Sequence, residues 1–157
     1  MSRKSRPLVG IVGGGKVGQA LGRLLHEAGY PIGDIACRSL VSARAARRFI
    51  GAGTPRSSRS VGAFAGDVLL FTTPDDALAK TAEALSAARP SFAGIVALHT
   101  SGALDASALE PLARRGAAVG SMHPLQSFST PALGVARVPG SAFAIEGSAR
   151  AITAARA

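Results

Sequence analysis

The 157-residue chain has one cysteine, no tryptophan and a single tyrosine, and these scarcities exclude whole classes. A lone Cys37 cannot close an internal disulfide or build a cysteine-based zinc site, so a secreted disulfide scaffold is ruled out. Charged residues are only 17% of the chain against 47% hydrophobic, which argues against intrinsic disorder. No apolar run approaches the roughly 18 residues that span a bilayer, so no membrane partner is expected. The basic opening Met1 to Arg6 has glycines where a signal peptide would carry its apolar stretch, and a cytoplasmic protein is the simplest expectation. Acidic residues are also few: 9 against 18 Lys plus Arg, a net charge of +9 in which only Lys4, Lys16 and Lys80 are lysines. The arginines are scattered and no aromatics interleave with them to stack on bases, so nucleic acid is not the expected partner. A surface that attracts phosphorylated or carboxylated small molecules fits the charge better.

What is present is alternation. Residues 8–12 form a short apolar run suited to a buried strand, and residues 16–28 carry helical spacing through Val17, Ala20, Leu21, Leu24, Leu25 and Ala28. A strand is expected at 32–37 and a helix at 42–50. Residues 51–60 read as a loop with a weak edge strand. Further strands are expected at 68–71, 94–98, 117–122 and 142–146, with helices at 75–88 and 105–115. Strands alternating with helices at this spacing define an α/β fold, a doubly wound and mostly parallel sheet. A length of 157 residues fits one domain of the common range of about 100–200. The division expected is a basic tail over 1–6, a dinucleotide-binding domain over 7–147, and in 148–157 the first turns of a helix without a cap. That last segment reads as the start of a further helical domain.

The run Gly13-Gly14-Gly15-Lys16-Val17-Gly18 fits G-x-G-x-x-G directly after a strand and at the start of an amphipathic helix, where a dinucleotide fingerprint belongs. Gly13 allows the tight turn, Gly15 lets backbone approach a pyrophosphate, and Gly18 lets helix and sheet pack closely. Where an NAD site places a ribose-binding acid, this chain has Cys37-Arg38-Ser39. Arg38 and Ser39, joined by Arg44 one turn on, suit a 2′-phosphate, so NADP(H) is the expected cofactor. Asp34 lies too early to serve as the ribose acid. The strand-end loop Thr72-Thr73-Pro74 is expected to touch cofactor through its backbone, with Asp75 or Asp76 capping the next helix. Two histidine loops follow. His99-Thr100-Ser101-Gly102 can orient a substrate carbonyl or carboxylate. His123, at the end of a strand on the same sheet edge, can supply the proton that accompanies hydride transfer. His123, His99 and Ser101 are therefore the expected catalytic residues, and no metal is expected. His26, inside the first helix, reads as partly exposed.

Taken together, Ile11 to Gly18, Thr73 to Ala77, His99 to Ala103 and Gly120 to Phe128 resemble the Rossmann-like proteins that carry a DUF2520 domain. These are relatives of pyrroline-5-carboxylate reductase, 6-phosphogluconate dehydrogenase and F420-dependent NADP oxidoreductases. The resemblance covers residues 7–147. His123-Pro124 is also similar to a histidine–proline pair of prephenate and arogenate dehydrogenases, in which the histidine contacts substrate. The resemblance implies an NADP(H)-dependent oxidoreductase, or its nucleotide-binding half, acting on a small carbonyl or imine such as the 2-oxo acid ketopantoate. It also implies a helical domain after residue 157 that closes over substrate and builds a dimer. The alternatives are a non-catalytic NADP-binding module working with a partner chain and, last, a basic nucleic-acid-associated protein.

Overall fold

The computed structural model describes residues 6–57 and 64–157. Of the expected tail only Arg6 falls within it, and residues 58–60 of the 51–60 loop lie outside. β1 (Val9–Val12) is buried at all four residues, as its unbroken apolar run requires. β2 (Ile32–Cys37), β3 (Thr54–Ser57), β4 (Val68–Phe71), β5 (Val96–His99), β6 (Ala118–Pro124) and β7 (Phe143–Gly147) complete one sheet in the order β3-β2-β1-β4-β5-β6-β7. Every neighbouring pair is parallel except β6 and β7. The doubly wound sheet expected from the alternation is thus present, with an antiparallel edge.

Period-two alternation divides the strands between two cores. On one face Val9, Leu70, Val96 and Leu98 pack with α1 (Lys16–Glu27) through Leu21, with Val138 after α5 (Pro131–Arg137), and with α6 (Ala149–Ala155) through Ala151. Ile11 and Ile35 pack on that face with Ala43, Ala46 and Ile50 of α2 (Leu40–Ile50). On the other face Leu69, Phe71 and Ala97 meet Leu78, Ala82 and Leu85 of α3 (Asp75–Ala87), and Leu109 and Leu112 of the next connection. The covering helices change face between β1 and β4, which makes that pair the switch point where an open α/β sheet leaves a crevice at its carboxyl edge.

Several boundaries depart from the sequence reading, each for a local reason. α2 begins at Leu40 because the Ser39 hydroxyl accepts from the Ser42 amide and fixes the start. The helix expected over 105–115 is a 3-10 turn, Ala106–Leu109, followed by one α turn, α4 (Glu110–Ala113); Pro111 lacks the N–H that would continue a longer ladder. α5 was not foreseen, although Thr130 caps it and Pro131 opens it, a common pairing at helix starts. β5 ends at His99, and β6 runs on to Pro124, so His99 and His123 are strand residues. α6 does carry a cap, the Ser148 hydroxyl, and Ala151 is fully buried beneath it. α6 therefore packs against this sheet through Ala151.

Asp34 is 2% exposed, with Oδ2 accepting from the Ala65 amide at 2.9 Å and Oδ1 3.2 Å from Arg56 Nε. It ties β2 to β3 and to the segment leading into β4. No helix among the described residues is long and apolar enough to cross a membrane.

Phe92 anchors the second core from the connection into β5, fully buried, while Val41 on α2 is 76% exposed. Phe92→Ala should lower the unfolding free energy by about 3–5 kcal/mol, the usual cost of emptying a buried phenyl site. Val41→Ala should change it by less than about 0.5 kcal/mol. Urea titrations of the two variants beside the unaltered chain check the contrast.

Candidate functional site

The glycine loop sits at the switch point. Gly13 adopts φ +110°, a left-handed value reserved in practice for glycine, and its amide donates to the Ala36 carbonyl at 2.8 Å. Its own carbonyl accepts the Thr72 hydroxyl at 2.5 Å, while the Thr72 amide donates to the Val12 carbonyl at 2.8 Å. A Cβ at Gly18 would collide with the Gly13 carbonyl and with Thr72 Oγ1, so only glycine allows α1 to start this close to β1 and β4. A Cβ at Gly14 would lie 2.5 Å from Cys37 Sγ and 2.8 Å from Ala46 Cβ. Gly14 is therefore a packing glycine, and its carbonyl accepts from Gln19 Nε2 at 2.8 Å.

Gly15 differs from the other three. It has an ordinary extended backbone (φ −76°, ψ −167°), and a Cβ there would meet nothing within 4 Å. No packing among the described residues requires glycine at 15, and the position is open to approach from outside. Gly15 is the N-cap of α1 and offers no side-chain cap, and the first intrahelical bond is from Gln19 to the Gly15 carbonyl. The amides of Lys16, Val17 and Gly18 thus open toward the crevice with the positive end of the helix dipole behind them, an arrangement suited to phosphate. Lys16 is exposed at this end, whereas the Val17 side chain packs into the core and leaves only its amide for a ligand.

Across the crevice Thr72 uses both its amide and its hydroxyl to hold the loop. The neighbouring Thr73 Oγ1 is buried with no hydrogen-bond partner among the described residues. A buried orphan hydroxyl next to the glycine loop is the kind of group a bound ligand satisfies. Pro74 is itself the N-cap of α3 and no side chain caps that helix, so Asp75 and Asp76 act as first-turn charges on its dipole and not as caps.

At the end of β2, Arg38 is exposed, as the 2′-phosphate reading needs. The Ser39 hydroxyl is engaged, bonded to the Ser42 amide at 3.1 Å and to the Ser42 hydroxyl at 2.9 Å. Arg44 lines a separate cleft of about 430 Å³ with Arg47 and Arg48, facing Gly53 to Pro55 at the start of β3. Among the described residues Arg38 has no ion-pair partner at this strand end, while Arg44 lines the separate cleft.

On the far side of the same edge stand the two histidines. His99 is fully buried; its Nδ1 accepts from the Ser101 amide at 3.2 Å, so Nε2 carries the proton and donates to the Asp105 carbonyl at 2.8 Å. Both ring nitrogens of His99 are engaged within the turn. The Ser101 oxygen accepts from the Ala103 and Leu104 amides, both at 3.1 Å, leaving its proton to donate. Asp105 holds its carboxyl below the usual range because the Ser107 side chain and amide both donate to it.

His123 has the opposite arrangement. Its Nδ1–H donates to the Thr100 carbonyl at 3.0 Å, which leaves Nε2 facing a cleft of about 400 Å³ between the 101–105 turn and β6–β7. Its ring lies over Gly102, where a Cβ would come within 2.6 Å of Nε2. The sequence reading missed Gln19, which braces the glycine loop, and Ser121 and Glu146, which line this cleft. Ser121 shares a face of β6 with His123 by simple alternation, but Glu146 reaches the cleft only through the antiparallel register of β7.

The glycine loop, the switch point and the exposed helix start together form a Rossmann-like sheet edge. The sequence pattern of the Rossmann-like domain matches residues 1–124, and the chain belongs to that family. None of the curated proteins matches the sequence. Solved structures that match include a Bacteroides fragilis protein assigned as an NADP oxidoreductase, 18% identical with a TM-score of 0.75, over 96% of this chain and 56% of that one. An A. aeolicus prephenate dehydrogenase, solved with hydroxyphenyl propionate and NAD+, is 19% identical with a TM-score of 0.72, over 99% of this chain and 55% of the other. An imine reductase from Pseudomonas sp. is 22% identical with a TM-score of 0.71, over 96% and 51%. At these identities the likeness is one of fold, and the chain spans about half the length of each.

Cys37 is 8% exposed, and burial pushes its thiol above the ordinary value, a hydrogen bond at Gly14 opposing in part. The native chain should therefore react with a disulfide reagent at pH 8 far more slowly than the chain in urea. Because the folded value is the raised one, the stability contributed is complete below the unfolded thiol value and is lost as pH climbs through the folded one. Thiol titration and urea midpoints between pH 7 and 10 read both effects; a thiol that reacts equally fast in both states contradicts them.

Proposed function

We propose that this domain binds NADP(H) across the β1–β4 crevice and supports reduction of a small carbonyl or imine at the adjoining edge of β5 and β6. The observation that carries the reading is the open approach at Gly15, the one glycine of the loop that internal packing does not require. The orphan Thr73 hydroxyl beside it fits the same ligand. In this reading the amides of Lys16, Val17 and Gly18 hold the pyrophosphate, Arg38 pairs with the 2′-phosphate, and Thr73 and Pro74 lie against the nicotinamide half.

When bound, NADPH supplies a hydride. The chain's part is to orient and to move a proton. The Thr100 carbonyl fixes the His123 ring with its proton on Nδ1, so Nε2 is the atom that takes up and gives a proton in the cleft. The Ser101 hydroxyl, its oxygen engaged by two amides, donates outward to a substrate oxygen or nitrogen. The narrower sequence resemblance to DUF2520 proteins points to a 2-oxo acid such as ketopantoate among the carbonyls, whereas the charge of the cleft, argued below, favours the imine. A separate chain or a second copy is proposed to cover Leu104, exposed at the cleft, and Leu125, which is 58% exposed.

Calorimetric titration with NADPH and NADH tests the cofactor. NADPH should bind more tightly, and Arg38→Ala should weaken NADPH about tenfold to a hundredfold while leaving NADH nearly unchanged. Equal affinity for the two cofactors, or no binding of either, overturns the assignment.

The proton donor is tested at His123. In the assembly that turns over, His123→Ala should lose about 10²–10⁴-fold in rate and keep its NADPH affinity. His123→Asn should behave the same way despite its hydrogen-bonding side chain, and the pH–rate limb of this group should vanish in both. A parallel fall in melting temperature and cofactor affinity would instead make His123 a structural residue.

A further inference from the structure

The charge of the His123 cleft runs against the charge of the chain. With 18 basic residues against 9 acidic, the protein is strongly cationic, yet the cleft is lined by Asp105 and Glu146 and by no lysine or arginine. A carboxylate-bearing substrate would meet two negative groups there and no fork to receive it. Glu146 stands opposite Ser121 in the β6–β7 register and is held by the Ala106 amide, which donates to Oε1 at 2.7 Å. Oε2 is left for a ligand. Ser121 supplies the independent observation: it is only 5% exposed, it lines the cleft, and its hydroxyl has no partner among the described residues. A nearly buried hydroxyl facing an open cavity is an unfilled polar position. Beside it on the same strand face, His123 presents Nε2, an acceptor in the neutral ring, and so do the Ser121 oxygen and the free Glu146 oxygen. Three acceptors and a net negative wall describe a receptor for a cationic nitrogen.

We infer that this cleft takes a protonated amine or iminium group in preference to a 2-oxo acid, with Glu146 setting the charge preference and Ser121 fixing the nitrogen. The inference rests on the reading of this edge as the substrate site and names the substrate class that the site selects. An imine that enters neutral takes its proton from His123 Nε2. The Glu146 carboxylate favours the iminium so formed, which accepts hydride to give the amine, and the ring is left neutral with Nε2 as an acceptor.

The test uses two probes with related branched skeletons and opposite charge, isobutylamine and 3-methyl-2-oxobutanoate, titrated into the isotopically labelled chain with and without NADPH. Isobutylamine should shift the resonances of Ser121, His123 and Glu146 and bind at least about tenfold more tightly than the oxo acid, the scale of one partly exposed charge contact. Glu146→Gln keeps an oxygen for the Ala106 amide and should retain its melting temperature, yet lose about tenfold in amine affinity. Ser121→Ala should lose a smaller factor, about threefold, in the same assay. Oxo-acid binding equal to or tighter than amine binding overturns the inference, as does amine binding indifferent to Glu146→Gln or absent altogether. NADPH titration of the same samples is read separately. A chain that binds NADPH but no amine refutes the inference and keeps the cofactor reading. Amine binding at these residues without NADPH binding does the reverse.

Discussion

The hydrogen bond from the Thr72 hydroxyl to the Gly13 carbonyl closes the seam on which the rest of this structure depends. It joins the end of β4 to the loop leaving β1, at the position where helices change from one face of the sheet to the other. The carbonyl it captures is the one a side chain at Gly18 would strike, so the bond and the glycine together set how near α1 begins to the sheet. From that closeness follow the outward amides of Lys16 to Gly18, the opening at Gly15 and the burial of Thr73. A loop held less tightly would still turn, but its amides would not converge.

Much of the architecture was legible because it rests on unbroken apolar runs. Residues 9–12 and 68–71 have no polar interruption, and runs that short, flanked closely by glycine or proline, suit a buried parallel strand. α1 was legible for the same reason, its stripe recurring at helical spacing toward Leu21. Short elements were less so. α5 has seven residues, and its contact with α1 through Gly134 and Ala20 is a tertiary fact that local spacing does not record. The division of 105–115 into a 3-10 turn and a single α turn depends on one missing amide at Pro111. The final helix looked uncapped because a serine before alanines is an ordinary sequence until its hydroxyl is placed over the helix start.

The site was legible in its glycines and obscure in its histidines. Gly13 and Gly18 take their separate roles from spacing alone, whereas Gly14 is indistinguishable in sequence from a ligand-binding neighbour and proves to pack on Cys37 and Ala46. His99 and His123 both stand at the carboxyl end of a mostly apolar strand sequence, and nothing in those stretches tells the two rings apart. They are separated by what each ring nitrogen meets: the Ser101 amide and Asp105 carbonyl on one side, the Thr100 carbonyl and open space on the other. Those partners lie in turns, whose geometry residue types only loosely constrain. Glu146 was hidden for a different reason, since only the reversed direction of β7 brings it beside Ser121.

The stacking of the His123 ring over Gly102 has a consequence for how such a chain changes over time. The imidazole occupies the volume a side chain at 102 would need, so the two positions, 21 residues apart, are one unit of variation. While the ring is present, any larger residue at 102 evicts it from the cleft; once the ring is gone, the same replacement is sterically neutral. The order of the two substitutions therefore matters, and loss of glycine is free only on a background that has already lost the histidine. Among descendants of such a chain the pair should covary in one direction, histidine never without glycine, glycine sometimes without histidine.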